Sequence, residues 1–115
     1  MRLTAIEIET ATPATNQIAD LTIARLIASA TDGDAQACYE LGVIWSTGGH
    51  GVDCDLIEAH QWFNLAAARG HQEAAWCRSD ISDEMTAREI AEAQRRARQW
   101  MIEPPDAVTV SANLS

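Results

Sequence analysis

The stretch Gly33–Ala74, GDAQACYELGVIWSTGGHGVDCDLIEAHQWFNLAAARGHQEA, decides the fold predicted for this chain. When the sequence is aligned with itself at an offset of 37 residues, small and aromatic residues match residues of the same kind. The matching pairs are Ala30 with Ala67, Gly33 with Gly70, Ala37 with Ala74, Tyr39 with Trp76 and Ile44 with Ile81. A repeat of about 20–50 residues is typical of solenoids, in which each helical hairpin buries its apolar face against the next.

Apolar residues at helical spacing, interrupted by glycines, predict five helices. Their expected bounds are Asn16–Ala30, Asp34 to just before Gly48, Leu56–Arg69, Gln72–Ile81 and Thr86 to about Met101. We expect Asp34 and Asp55 to stabilise helix N-termini, and Thr86-x-x-Glu89 is a capping box. The sequence therefore predicts an all-α fold.

Residues 1–15 and 103–115 flank this predicted helical domain, which covers residues 16–102. Both flanks contain a segment with some strand character, Leu3 to Glu9 and Ala107 to Ser111. Short strands and disordered tails are the two alternatives for these segments.

The composition restricts the classes of function. The chain has 115 residues, 17 acidic and 8 basic side chains, a net charge of −9 and a hydrophobic fraction of 47%. This length favours one folded domain and excludes a multidomain enzyme. Six carboxylates and no arginine or lysine lie between Thr31 and His60. Because nucleic-acid affinity depends on neutralising phosphates, we expect no direct nucleic-acid partner.

The sequence also predicts a cytoplasmic location. It has no run of 18 apolar residues, so we expect no membrane span. Residues 1–15 lack the pattern of a secretory signal. The three cysteines, Cys38, Cys54 and Cys77, form no CxxC pair and are predicted to be reduced thiols.

The Gly33–Ala74 stretch resembles the Sel1-like repeat, an α/α relative of the tetratricopeptide repeat. The matching residues are Ala37, Tyr39, Leu41, Gly42, Trp45, Gly51, Val52, Asp55, Ala59, Trp62, Phe63, Ala66, Ala67, Gly70 and Ala74. The glycine loop is one residue longer than the family pattern, and Cys38 stands where the family often has glutamine. The segment from Met85 to Gln94 is similar to the final helix of many short bacterial Sel1-like proteins.

The resemblance implies a short α/α solenoid that acts as a protein-binding adaptor, scaffold or regulator. In such repeats the first helix of each hairpin lines a concave groove that holds the partner. The candidate contact residues are Gln36, Glu40, Val43, Ser46, Thr47, Gln72, Glu73 and Trp100. The negative charge predicts a basic or neutral protein partner. A homodimer is a further alternative, since the stack has fewer than the roughly three repeats that such folds need.

Packing accounts for most of the conspicuous side chains. Gly42 and the alanines allow two helix backbones to approach, while Tyr39, Trp45, Trp62, Phe63 and Trp76 are predicted to fill the space between hairpins. Trp100 has two alternative roles, covering the end of the core or contacting a partner or second subunit.

No motif predicts an enzyme, a cofactor or a catalytic residue. A metal site is the alternative for six residues near the glycine loop: His50, Asp53, Cys54, Asp55, Glu58 and His60. A thiolate–histidine pair is the alternative for Cys54 with His50 or His60. Their spacing matches no metal-site pattern, and ordinary loop and capping roles are favoured. A rival function is that of a small acidic inhibitor, in which the carboxylates between Thr31 and His60 occupy the basic groove of a nucleic-acid-binding protein.

Overall fold

The computed structural model describes residues 21–102, which form five α-helices and no strand. The helices are α1 (residues 21–31), α2 (Ala35–Thr47), α3 (Leu56–Ala68), α4 (Gln72–Ser82) and α5 (Ala87–Ile102), with a 3₁₀ turn at Gly49–Gly51. The all-α prediction is confirmed for this part of the chain. The two segments with strand character, the start of the predicted first helix and the flanks 1–15 and 103–115 lie outside the described residues.

Local capping interactions fix where the helices begin. Asp34 Oδ1 accepts hydrogen bonds from the backbone N–H groups of residues 36 and 37, and Asp55 does the same for residues 57 and 58. The predicted capping box is also confirmed, because Thr86 N donates to Glu89 Oε1 at 2.8 Å and Glu89 N donates to Thr86 Oγ1 at 3.1 Å. Each cap satisfies backbone donors that have no partner within the helix.

The order of contacts along α3 gives the helix directions. Contacts with α2 and α4 run in reverse sequence order, Phe63 with Gly42 and Arg69 with Cys38, then His60 with Ser82 and Asn64 with Arg78. Contacts with α5 run in the same order, Glu58 with Arg96 and Trp62 with Trp100. Helices α2 and α4 are therefore antiparallel to α3, and α5 is parallel to it.

Helix α3 is the centre of the core, because it packs against α2, α4 and α5. Its buried side chains include Trp62, Phe63 and Leu65, each at most 2% exposed. The Phe63 ring lies directly on Gly42 of α2, as the small-residue pattern predicts. Trp45 and Tyr39 are partly buried against the same core.

Trp76 contradicts the packing prediction. Its side chain is 62% exposed, although the 37-residue period places it at the position that corresponds to Tyr39. Tyr39 is covered because its ring stacks on His71, which precedes α4, with 4.4 Å between centroids. Within residues 21–102 no further hairpin follows α5 to cover Trp76 in the same way.

A buried histidine joins α3 to α4. His60 is only 2% exposed, and its two ring nitrogens lie 3.0 Å from Ser82 Oγ and 3.0 Å from Asn64 Nδ2. Asn64 Oδ1 in turn accepts from Arg78 at 2.9 Å. Burial, together with the charge of Arg78, lowers the pKa of His60 below its usual value of 6.5.

We therefore expect the free energy of unfolding to decrease on acidification below about pH 6.5, because the unfolded chain then binds a proton that folded His60 resists. The His60 contribution is complete above that pH and is lost as the pH falls through the folded pKa. The free energy of unfolding therefore changes by at most about 1.4 kcal/mol per pH unit, which is the limit for one proton.

Urea denaturation between pH 5 and 8 measures this pH dependence. His60→Gln should flatten the dependence, whereas the exposed control His50→Gln should leave it unchanged; equal slopes in wild type and His60→Gln would contradict the prediction.

Candidate functional site

The candidate contact residues on α2 share one side of the helix. Gln36, Glu40, Val43 and Thr47 recur at intervals of three or four residues, which places them on neighbouring turns. Gln36, Glu40 and Thr47 are exposed and Val43 is half-buried. Ser46 is also half-buried, and its hydroxyl donates to the backbone oxygen of residue 43 at 3.0 Å.

The start of α4 lies beside this side of α2. His71 Nε2 is 2.9 Å from Gln36 Oε1, and His71 Nδ1 accepts from Ala74 N at 3.2 Å. Because the amide oxygen can only accept, His71 donates from Nε2, so one neutral tautomer satisfies both bonds. Gln36 also donates from Nε2 to Glu40 at 3.2 Å. These bonds fix the Gln36 amide and place the exposed residues Gln72 and Glu73 next to α2.

We call these six residues the α2–α4 surface: Gln36, Glu40, Val43, Thr47, Gln72 and Glu73. It contains two carboxylates and no basic side chain. Six of the eight candidate residues thus lie on one side of α2 or at the start of α4, with Ser46 at the edge of that side of α2. The His71 link was not apparent from the sequence, since its partners lie 35 residues apart.

Trp100 does not belong to this surface. Its side chain is 9% exposed, and its ring packs edge-on against Trp62 with 4.7 Å between centroids. Of its two alternative roles, Trp100 covers the core, and its burial by other parts of the same chain removes it as a contact residue. The exposed tryptophan is Trp76, which the sequence had assigned to packing.

Four of the six carboxylates between Thr31 and His60 already have internal partners, and Glu40 is one of them because it accepts from Gln36. Asp34 and Asp55 cap helices, and Glu58 accepts from Trp62 Nε1 at 3.2 Å and from Arg96 at 3.4 Å. Burial raises the pKa of Glu58. Asp32, Glu40 and Asp53 are left as exposed carboxylates without a charged partner in the described chain. The acidic-inhibitor alternative stays a prediction.

The side chains near the glycine loop do not converge on a common centre. His60 faces Ser82 and Asn64 in the interior, whereas Cys54 Sγ donates to the backbone oxygen of Ser46 at 3.3 Å. No group of three histidine, cysteine or acidic side chains that could hold a metal ion occurs between residues 21 and 102.

The cysteines are separate free thiols in the described structure. Cys38 is fully buried, and Arg69 donates to its sulfur at 3.1 Å and to the backbone oxygen of Ala30 at 3.1 Å. Burial raises the pKa of the Cys38 thiol, although Arg69 opposes the shift. A protonated, buried thiol of this kind acts as a packing group.

Comparison with protein-family models, with curated proteins and with solved structures gave no match to this chain. None of the helices formed by residues 21–102 is long and apolar enough to cross a membrane.

Proposed function

We propose that this chain is a non-enzymatic protein-interaction module that binds another protein through the α2–α4 surface. The observation that carries the proposal is the hydrogen bond between Gln36 and His71, which orders the start of α4 against α2 while the neighbouring side chains remain exposed. Ordered exposed side chains lose little conformational entropy when a partner binds.

The helix directions support a short Sel1-like stack as the architecture of this module. Successive hairpins in such a stack place their first helices side by side and parallel. Here α2 and α4 are both antiparallel to α3, and they meet at Gln36 and His71. In this proposal α2–α3 is one hairpin and α4–α5 is the next, so the α2–α4 surface is the concave side.

The charge of the surface indicates the chemistry of the partner. Glu40 and Glu73 are its only charged groups, so it repels acidic proteins and attracts basic ones. A basic or neutral partner segment fits this surface. Because the two carboxylates are exposed, salt should slow association more than it speeds dissociation.

We expect Glu40→Arg and Thr47→Arg, each in the full tagged chain, to reduce recovery of the partner at least tenfold in quantitative affinity purification. Both changes place a cation on the α2–α4 surface without disturbing a buried group. The matched control is Glu84→Arg, an exposed acid between α4 and α5 that lies outside this surface. If the same proteins are recovered in equal amount with all three variants, the proposed surface is wrong.

A further inference from the structure

Helices α4 and α5 follow one another in sequence but scarcely touch. Between them, with α3 at the bottom, lies a groove of about 380 Å³. Its small lining residues include Ala67, Ala75 and Ala97, and its long ones include Arg78, Arg98 and Met101. We call this side of the molecule the α4–α5 face. A groove between consecutive helices leaves apolar surface that intramolecular packing has not covered.

The α4–α5 region also carries most of the exposed large apolar side chains. Trp76 is 62% exposed, Met101 48% and Ile102 80%. The other such residue in the described chain is Leu21, on α1. Ala75, which lines the groove, and the projecting Trp76 are consecutive residues of α4.

The two helices carry opposite unpaired charges. Glu73 and Asp80 on α4 and Arg88 and Arg98 on α5 are exposed, and none has an ion pair within residues 21–102. By contrast, the other two arginines of α5, Arg95 and Arg96, are both bound to Glu92. An acidic helix beside a basic helix is a surface that complements itself after a two-fold rotation.

We propose that the α4–α5 face binds a second copy of this chain in a two-fold symmetric dimer. With the axis parallel to the helices, α4 of each copy lies on α5 of the other, and each Trp76 enters the groove of the opposite copy. The Trp76 side chain and the groove of each copy then both take part, so the interface contains two identical contacts, as an isologous interface requires. This inference goes beyond the proposed function and, apart from Glu73, uses different residues.

The helix levels identify the charge pair to test. Ser82 lies beside His60, and Trp100 lies beside Trp62. Along the direction of the helix axes, Arg98 therefore lies at about the same position as the last turn of α4, which carries Asp80. Rotation about an axis parallel to the helices preserves this level, so Asp80 of one copy faces Arg98 of the second copy.

Sedimentation velocity of the full chain between about 1 and 500 μM tests the dimer. We expect a concentration-dependent dimer and at least a tenfold weaker association for Trp76→Ala. The control Leu21→Ala removes an exposed apolar side chain from α1 and should associate like wild type. Far-UV circular dichroism checks that each variant is folded.

Charge exchange makes the test specific. Asp80→Arg and Arg98→Asp should each weaken self-association, because each places like charges opposite one another. An equimolar mixture of the two variants should restore the dimer, since both contacts then join opposite charges. A wild-type chain that is monomeric throughout would overturn the proposal. A dimer that is insensitive to Trp76→Ala and to both charge changes would also overturn it.

Discussion

Trp100→Ala is expected to lower the free energy of unfolding by about 3–5 kcal/mol, the usual cost of truncating a buried large aromatic side chain. Trp100 is 9% exposed and lies edge-on to Trp62, with a 70° angle between the ring planes. Trp62 is itself 2% exposed, and the truncation removes a ring that packs against it. Loss of the aromatic pair adds about 1 kcal/mol to the loss of buried area.

The matched control is Trp76→Ala, which removes the same side chain from an exposed position. Its side chain is 62% exposed, so the change should alter stability by no more than about 0.5 kcal/mol. Urea denaturation followed by far-UV circular dichroism at low micromolar concentration measures both variants. Equal losses in the two variants would show that Trp100 does not complete the core.

Trp100→Phe separates the ring from its polar group. Trp100 Nε1 is buried and has no hydrogen-bond partner in the described structure. A phenylalanine keeps most of the aromatic contact with Trp62 and removes this unsatisfied donor. We expect a cost below about 1.5 kcal/mol, because the lost volume is partly offset by removal of the orphaned N–H.

The contrast between Trp76 and Trp100 shows what the sequence could determine. The caps at Asp34 and Asp55 and the box at Thr86 were predicted correctly, because each depends on groups no more than three residues apart. Burial of a tryptophan depends instead on which helix lies over it. The 37-residue period identifies Trp76 as a packing position but does not say whether a further hairpin covers it.

The same distinction applies to the candidate site. Gln36, Glu40 and Thr47 were placed correctly on an exposed side of α2, since helical spacing alone determines that side. The bond from His71 to Gln36 and the bond from Arg69 to Cys38 join residues 35 and 31 positions apart. Their formation depends on the packing of α2 against its neighbours, which no local pattern encodes. The α4–α5 groove arises in the same way from the packing of α4 and α5 on α3.

Gly42→Ala is expected to destabilise the fold by about 1–3 kcal/mol, the cost of overpacking a close-packed contact. A Cβ atom at this position would lie less than 3.0 Å from three atoms of the Phe63 ring. Phe63 is 1% exposed and its ring also lies next to Tyr39, with 6.0 Å between ring centroids, so the ring has little room to move. Helices α2 and α3 would have to separate.

The direction of this effect is diagnostic because helix propensity acts against it. In the middle of an exposed helix, replacing glycine with alanine stabilises by about 1 kcal/mol. A net loss at position 42 therefore reports the contact with Phe63 and not the backbone. Gly49→Ala is the control, since its Cβ would meet nothing closer than 3.6 Å, and it should change stability by no more than about 0.5 kcal/mol.

A double-mutant cycle with Phe63→Leu locates the strain in the Gly42 contact. Phe63→Leu alone should destabilise, because it removes buried area from the centre of α3. In its presence Gly42→Ala should cost less than in wild type, because the smaller side chain relieves the overlap. Urea denaturation of the four proteins gives the coupling energy. Additive losses would mean that α2 and α3 do not meet at this pair, and the close approach of the two helices would then be wrong.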